Sequence, residues 1–344
     1  MKLFKKSALQ ISFNLIVSIL IAIVVFIVIF KTSQVFLDYA HKKGSFDAFT
    51  YLELNLKNLY SESDYVKAIE LDKPTQISVI YPNIVIPRIE KTIDINNKLI
   101  IAPANMFTSS LTLFSKKSEF PIDSINYLFI FPKDKYLLLY NSSDKLTEIV
   151  NSELPDKITN LEKKDEYLIH KFIVDKPLEI SQICGKKDYC LVIVFNSHST
   201  YDDLLNIFKD YRTLEILHVS GNKTFGKVTL ASGQNVSYFD RYTLLSAIIS
   251  NNFENYNEFI KTLDKYVNLT FLVESKRLSY LFDLQPTDLC KNLTQDLNNT
   301  LFNITRLMNS LSNDINDNIF SELHGNHSKV LEINYKLKEN DCYE

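Results

Sequence analysis

The chain has 344 residues, with 38 Lys and Arg against 41 Asp and Glu and a net charge of −3, so it carries no electrostatic footprint for nucleic acid or acidic lipid. With only 6 glycines and no tryptophan, it is poorly suited to glycine-rich dinucleotide loops or β-solenoids. Its hydrophobic share of 46% is that of an ordinary folded domain.

From Ile11 to Phe30 the chain reads ISFNLIVSILIAIVVFIVIF, without a charge. As a helix at about 1.5 Å per residue, twenty such residues span about 30 Å, the thickness of a bilayer core. The run is longer than the apolar region of a cleavable signal and lacks a small-x-small site after it. A retained single-pass anchor is expected. Lys2, Lys5 and Lys6 precede it and Lys31, Lys42 and Lys43 follow it, a slight preference for a cytoplasmic N-terminus. The anchor helix is expected to run on to a break at HKKGS, around Gly44. Residues 1–43 form cytoplasmic tip, anchor and stalk; 44–238 a mixed α/β ectodomain; 239–344 a helical region.

The FDAFTYLELNLKNLY segment reads as helical. From Thr75 the pattern changes to short apolar or alternating runs, TQISVIY, NKLIIAP, SLTLFS, NYLFIFP and KYLLLYN, bounded by Pro, Asn, Asp or Lys, which predict strands. PKDK, between the last two, predicts a hairpin turn. YLLLYNSSDKLTEIVNSEL and LVIVFNSHSTYDDLLNIFKDY then form a weak repeat. Each is an apolar strand, an aromatic-Asn-Ser turn and an amphipathic helix, followed by another apolar run (HKFIVD, then LEILHVS). Two strand-helix-strand units in a mixed sheet are expected. Ligands of open α/β sheets bind at the carboxyl ends of strands, which nominates Asn141, Ser142, Asn196, Ser197 and His198. The same residues serve equally as helix caps, Ser143 for the first helix and a Ser199-to-Asp202 capping box for the second, and capping is the favoured role.

SGNKTFGKVTLASG places Gly221, Gly226 and Lys227 at the spacing of a phosphate-binding loop. The position that needs a Mg²⁺-binding hydroxyl is Val228, and β-branched residues follow instead of a helix. The segment therefore reads as a hairpin turning at Gly221-Asn222, with His218 a hydrogen-bonded strand histidine. Beyond Tyr238 the chain turns helical: DRYTLLSAIIS, then a stretch carrying Tyr256, Ile260, Leu263, Val267, Phe271, Leu278 and Leu281. After Pro286, an apolar stripe from Leu289 to Leu323 predicts one helix of about 50 Å. Leu331, Ile333, Tyr335 and Leu337 alternate with polar residues and predict a closing strand. The fold class is α+β: an N-terminal transmembrane helix, a mixed sheet and a long C-terminal helix hairpin ending in a strand.

Cys184, Cys190, Cys290 and Cys342 form no metal-ligand spacing. In CGKKDYC, two strand ends flanking a short turn bring Cys184 to Cys190. Cys290 pairs with Cys342 if the tail runs back extended: about 56 Å as strand, against about 26 Å as helix. Asn-x-Ser/Thr acceptors stand at Asn141, Asn222, Asn235, Asn268, Asn292, Asn298, Asn303 and Asn326, of which Asn292, Asn298 and Asn303 fall off the apolar stripe. Cysteines and acceptors together place the body outside the cytoplasm, as a candidate glycoprotein.

No catalytic motif is present and no cofactor is implied. HGNH, His324 to His327, offers a metal only with Glu322 and reads as a solvated loop. QISFN, Gln10 to Asn14, before an apolar helix, resembles the class III signal of archaeal type IV pilin-like proteins. Gln10 and Ser12 match; Asn14 stands where that signal has Glu, and Leu9 where it has a small residue. The segments IIAPANMFTSSLTLFSKKSEFPIDSINYLFIF and GKVTLASGQNVSYFDRYTLLSAIISNNFENYNEF resemble uncharacterised single-pass membrane proteins of small-genome archaea. The expected function is a membrane-anchored envelope protein with a binding or structural ectodomain, engaging a protein or glycan outside the cell. The alternatives are a pilin-like filament subunit and an extracytoplasmic hydrolase using His198 or the HGNH histidines.

Overall fold

The computed structural model describes residues 2–59, 65–95, 98–118, 125–141, 143–155, 157–158, 166–167, 169–184, 189–211, 213–222, 224–284, 287–311 and 317–342. It is an α+β protein. Helix α1 (Lys2–Leu59) is unbroken. Its segment from Ala22 is long and apolar enough to cross a membrane. Side chains from Ile23 to Phe30 are all exposed. At Gly44 the helix does not break; it enters the body. A Cβ on Gly44 would touch the Lys73 side chain at 3.6 Å, and Ala48, Leu52 and Leu56 form a buried stripe at four-residue spacing.

That stripe packs on a six-stranded sheet, sheet A, in the order β3-β2-β1-β5-β6-β4. Its strands are β1 (Val66–Ile80), β2 (Asn83–Ile86), β3 (Lys91–Asp94), β4 (Ile100–Ile101), β5 (Asn105–Ser118) and β6 (Ile125–Pro132). All its pairs are antiparallel except β4 with β6. Alternate residues face opposite ways. Ile77, Val79, Leu111, Leu113, Leu128 and Ile130 join the α1 core, whereas Phe114, Phe129 and Phe131 face the other way into the main core.

Sheet B has the order β10-β7-β11-β12-β13-β14. It is built from β7 (Tyr136–Tyr140), β10 (His170–Val174), β11 (Cys190–Phe195), β12 (Leu214–Gly221), β13 (Gly226–Thr229) and β14 (Asn235–Tyr238). The first four run parallel and the last two close with antiparallel pairs. Helix α2 (Lys145–Glu153) lies between β7 and β10 in the chain, α3 (Pro177–Cys184) between β10 and β11, and α4 (His198–Ile207) between β11 and β12. A two-stranded ladder of β8 (Lys157–Ile158) and β9 (Glu166–Tyr167) lies after α2.

Helix α5 (Arg241–Ser250) occupies the space between the sheets. Every residue from Tyr242 to Ser250 is buried, because it meets strands of both sheets, α2 and α6. The buried Ser246 hydroxyl donates to the Tyr242 carbonyl (2.7 Å), which satisfies a polar group that burial would otherwise penalise. Asp240 caps the helix, accepting from the Thr243 amide at 2.6 Å. Helices α6 (Phe253–Leu284), α7 (Asp288–Leu311) and α8 (Asp317–Glu339) follow, and α6, α7 and α8 pack in sequence.

Four further sequence expectations are corrected. PKDK does turn the chain, with the Lys135 amide donating to the Pro132 carbonyl (3.2 Å), but β6 and β7 belong to different sheets. β7 is flanked by β10 and β11 and buries Leu137, Leu138 and Leu139, which leaves no edge for β6. The long stripe does not form one helix; it is shared between antiparallel α7 and α8, and Pro286 and Ile315 lie outside the described residues. The closing strand is part of α8. Val330, Ile333 and Leu337 are buried at helical spacing, while Leu331 and Tyr335 are exposed apolar residues that mimic alternation. Cys184 ends a helix and only Cys190 begins a strand.

Disulfides join Cys184 to Cys190 and Cys290 to Cys342. The second forms by a different route from an extended tail. With α7 and α8 near 36 and 35 Å at 1.5 Å per residue, the returning helix matches the outgoing one, and Cys342 meets Cys290 at a Cα separation of 5.5 Å.

Candidate functional site

The parallel strands run 2-1-3-4 in chain order across sheet B, so the strand order reverses between β7 and β11. Such a switch point opens a crevice at the strand carboxyl ends, where Asn141 and Asn196 stand. Both adopt positive φ (81° and 49°), a conformation that Asn tolerates in turns. Both side-chain polar atoms of Asn196, and the side-chain oxygen of Asn141, are engaged within the fold. Asn196 Nδ2 donates to Asp144 Oδ2 (2.8 Å) and its Oδ1 accepts from the Gly221 amide (2.9 Å), so one side chain ties β11 to the start of α2 and to the β12–β13 hairpin. Asn141 Oδ1 accepts from Ser143 (2.7 Å) and its carbonyl from Thr147 (2.6 Å).

The caps differ from expectation. Asp144, not Ser143, caps α2 through the Leu146 amide (2.8 Å). Helix α4 begins at His198 with Ser197 as N-cap, and the Ser197 hydroxyl bonds Thr200 (2.6 Å) instead of a backbone amide. Ser199 therefore lies inside the helix. Ser142 lies outside the described residues.

His198 is exposed and reaches Asp202 at 3.7 Å. Its ring lies 5.3 Å from that of His218, which also stacks on Tyr201 at 5.3 Å. His218 was expected to be satisfied, yet its buried Nε2 has no hydrogen-bond partner among the described residues. Burial, then the neighbouring His198, push the His218 pKa down. His324 and His327 sit inside α8, not in a loop. Among the described residues no group of three or more His, Cys, Asp or Glu is placed to hold a metal ion.

The glycine-spaced segment forms the β12–β13 hairpin. Asn222 Oδ1 accepts from the Thr224 and Phe225 amides (2.9 and 3.1 Å). The Tyr238 hydroxyl donates to the Asn222 carbonyl (2.8 Å) and crowds both glycines. A Cβ on Gly226 would come within 2.2 Å of the Ser220 carbonyl oxygen and 2.5 Å of that hydroxyl. The Ser220 carbonyl and the Tyr238 ring together explain the glycine at 226.

A cleft of about 440 Å³ opens at the other end of sheet B, beside the amino ends of its parallel strands. Gln76, Asn105, Phe107, Lys135, Tyr189 and Glu215 line it. Gln76 pairs with Phe107, and Ser78 with Asn105, across β1 and β5, so Gln76, Asn105 and Phe107 share one face of sheet A. Lys135 Nζ meets Glu215 Oε2 at 2.7 Å, and Asn251 Nδ2, from the end of α5, donates to the same oxygen (3.1 Å). Sequence reasoning missed this site because its residues come from five separate segments with no common motif. The one local signal is a pair of aromatics, Phe107 and Tyr189, at strand starts.

Of the acceptor asparagines, Asn222, Asn235 and Asn292 are exposed, and Asn141, Asn268, Asn298, Asn303 and Asn326 are half-buried. Asn298 buries its Oδ1 without a partner among the described residues. Asn268 Nδ2 is bonded to Asp264 and Asn309, and Asn326 Nδ2 to the Glu322 carbonyl. Compared with known proteins, the chain matches no family model, no curated protein and no solved structure.

Proposed function

We propose that this chain is a single-pass, membrane-anchored protein of the cell envelope whose N-terminus is cytoplasmic and whose body, outside the cell, binds a protein or glycan partner. The observation that carries the reading is α1. Its residues from Gly44 onward are seated on sheet A, while apolar side chains from Ile23 to Phe30 are exposed to whatever surrounds them. Water disfavours such a surface and a bilayer core accepts it. The two disulfides suit an oxidising compartment. The reading assigns no catalytic step: the sequence carries no catalytic motif, and Asn196 commits both side-chain polar atoms, and Asn141 its side-chain oxygen, to the fold. Thiol counting tests it. Protein taken from cells under alkylating conditions should bind no mass-tagged maleimide until reduced, and four per chain afterwards. Four free thiols before reduction would place the body in a reducing compartment.

A filament or surface-assembly subunit is the second reading, favoured by one observation. Anchor and stalk form one unbroken helix whose C-terminal part lies on a mainly antiparallel sheet, a rod that suits side-by-side packing in an assembly. The QISFN resemblance points the same way. A mature N-terminus at Gln10, found by sequencing protein from native membranes, would select this reading; an intact N-terminus would select the simple anchor.

A further inference from the structure

We propose that the cleft between sheets A and B binds a neutral saccharide of one or two sugar residues. The proposal rests on the reading of the body as a binding module and names the chemistry of its ligand. The volume of about 440 Å³ lies in the range of small-ligand clefts, about 300–1,000 Å³. Three polar groups on its walls keep unused hydrogen-bonding capacity among the described residues. Asn105 engages Oδ1 with Ser78 (2.8 Å), which leaves Nδ2 as donor. Glu215 engages Oε2, which leaves Oε1 as acceptor. The Gln76 amide offers both. A ligand matching all three must present donors and acceptors close together, as hydroxyl groups do.

The apolar share of the cleft fits the same ligand. Phe107 and Tyr189 are 60% and 49% exposed, and their rings offer flat apolar faces to the C–H face of a sugar ring. Charge decides against other classes. Two carboxylates, Asp134 and Glu215, line the cleft with one lysine, Lys135, so an anion such as phosphate is disfavoured. A basic peptide would have to compete with Lys135, already held 2.7 Å from Glu215.

The test uses the purified full-length chain in detergent with its disulfides intact. Saturation-transfer NMR with maltose, lactose, mannobiose, diacetylchitobiose and penta-lysine, and phosphorus-31 line broadening with inorganic phosphate, read which class binds. At least one disaccharide should bind. Phe107→Ala and Tyr189→Ala should each weaken it about tenfold, at unchanged melting temperature because both rings are surface residues. His198→Ala, at the opposite end of the sheet, should leave binding unchanged. Binding to none of the four sugars, binding indifferent to both ring variants, or binding of penta-lysine or phosphate alone would overturn the proposal. Failure here would leave the thiol count untouched, because binding by purified protein does not depend on which side of a membrane the body occupies.

Discussion

His218 shows how a polar residue can be tolerated in a core without being satisfied. Its Nε2 is buried and unpartnered among the described residues, a condition that costs about 1–3 kcal/mol. His218→Phe keeps the ring contacts with Tyr201 and removes the orphaned nitrogen, so stability at pH 7.5 should hold or rise by about 1 kcal/mol. The pH dependence has a defined sign. The folded-state pKa is lowered, so above the unfolded value of about 6.5 neither state is protonated and nothing is lost. As pH falls below it, the unfolded chain takes up a proton that the folded chain refuses, and stability declines. Urea denaturation between pH 7.5 and 5 should give a shallower decline for the variant. An unchanged slope would show that other groups set the acid limb. Gly226 makes the opposite case. Its place in a nucleotide-loop spacing drew attention for the wrong chemistry, and its role is steric. Gly226→Ala should destabilise by about 1–3 kcal/mol, and thermal melts of the Tyr238→Phe, Gly226→Ala double variant should recover only part of it, because the Ser220 carbonyl still obstructs.

At the scale of elements, the two disulfides differ in what they constrain. Cys184–Cys190 closes a separation of 6 residues and Cys290–Cys342 one of 52. In the chain-entropy account these contribute about 2 and about 4 kcal/mol. Cys290→Ser should therefore lower the melting temperature more than Cys184→Ser under non-reducing conditions. The reverse order would mean that the α7–α8 hairpin holds its ends together without the bond. The pairing was legible in the sequence, but the path was not. Strands with strong β-branched runs, such as LVIVF, and the capped helix DRYTLLSAIIS were readable because local propensity and burial agree there. The tail was misread because Leu331 and Tyr335 are exposed, and a pattern that assumes buried apolar residues counts them with Ile333 and Leu337. The i, i+4 contact of Lys336 with Glu332 (2.6 Å) was the helical signal available. The split of β6 and β7 between sheets was not readable, because a four-residue turn looks alike whether or not its strands pair. The cleft was invisible for the same reason: Gln76, Lys135 and Glu215 are brought together by topology, not by spacing.

The whole molecule is a layered body on a rod. Helix α1 covers one face of sheet A, α5 fills the space between the sheets, and α3 and α4 contribute to a separate core on the far side of sheet B. The Asn255 side chain, at the start of α6, donates to the Val79 carbonyl of β1 (3.0 Å), so the helical region is tied directly to sheet A. An apolar rod attached to a disulfide-bonded body accounts for both the exposed side chains of α1 and the four paired cysteines if the membrane lies around the former and an oxidising space around the latter. The most direct measurement is protease accessibility in intact cells that make the protein. With the body outside, added protease should remove the chain beyond about Lys43 and leave a short membrane-retained N-terminal fragment. A body that stays intact until the membrane is broken would contradict the account.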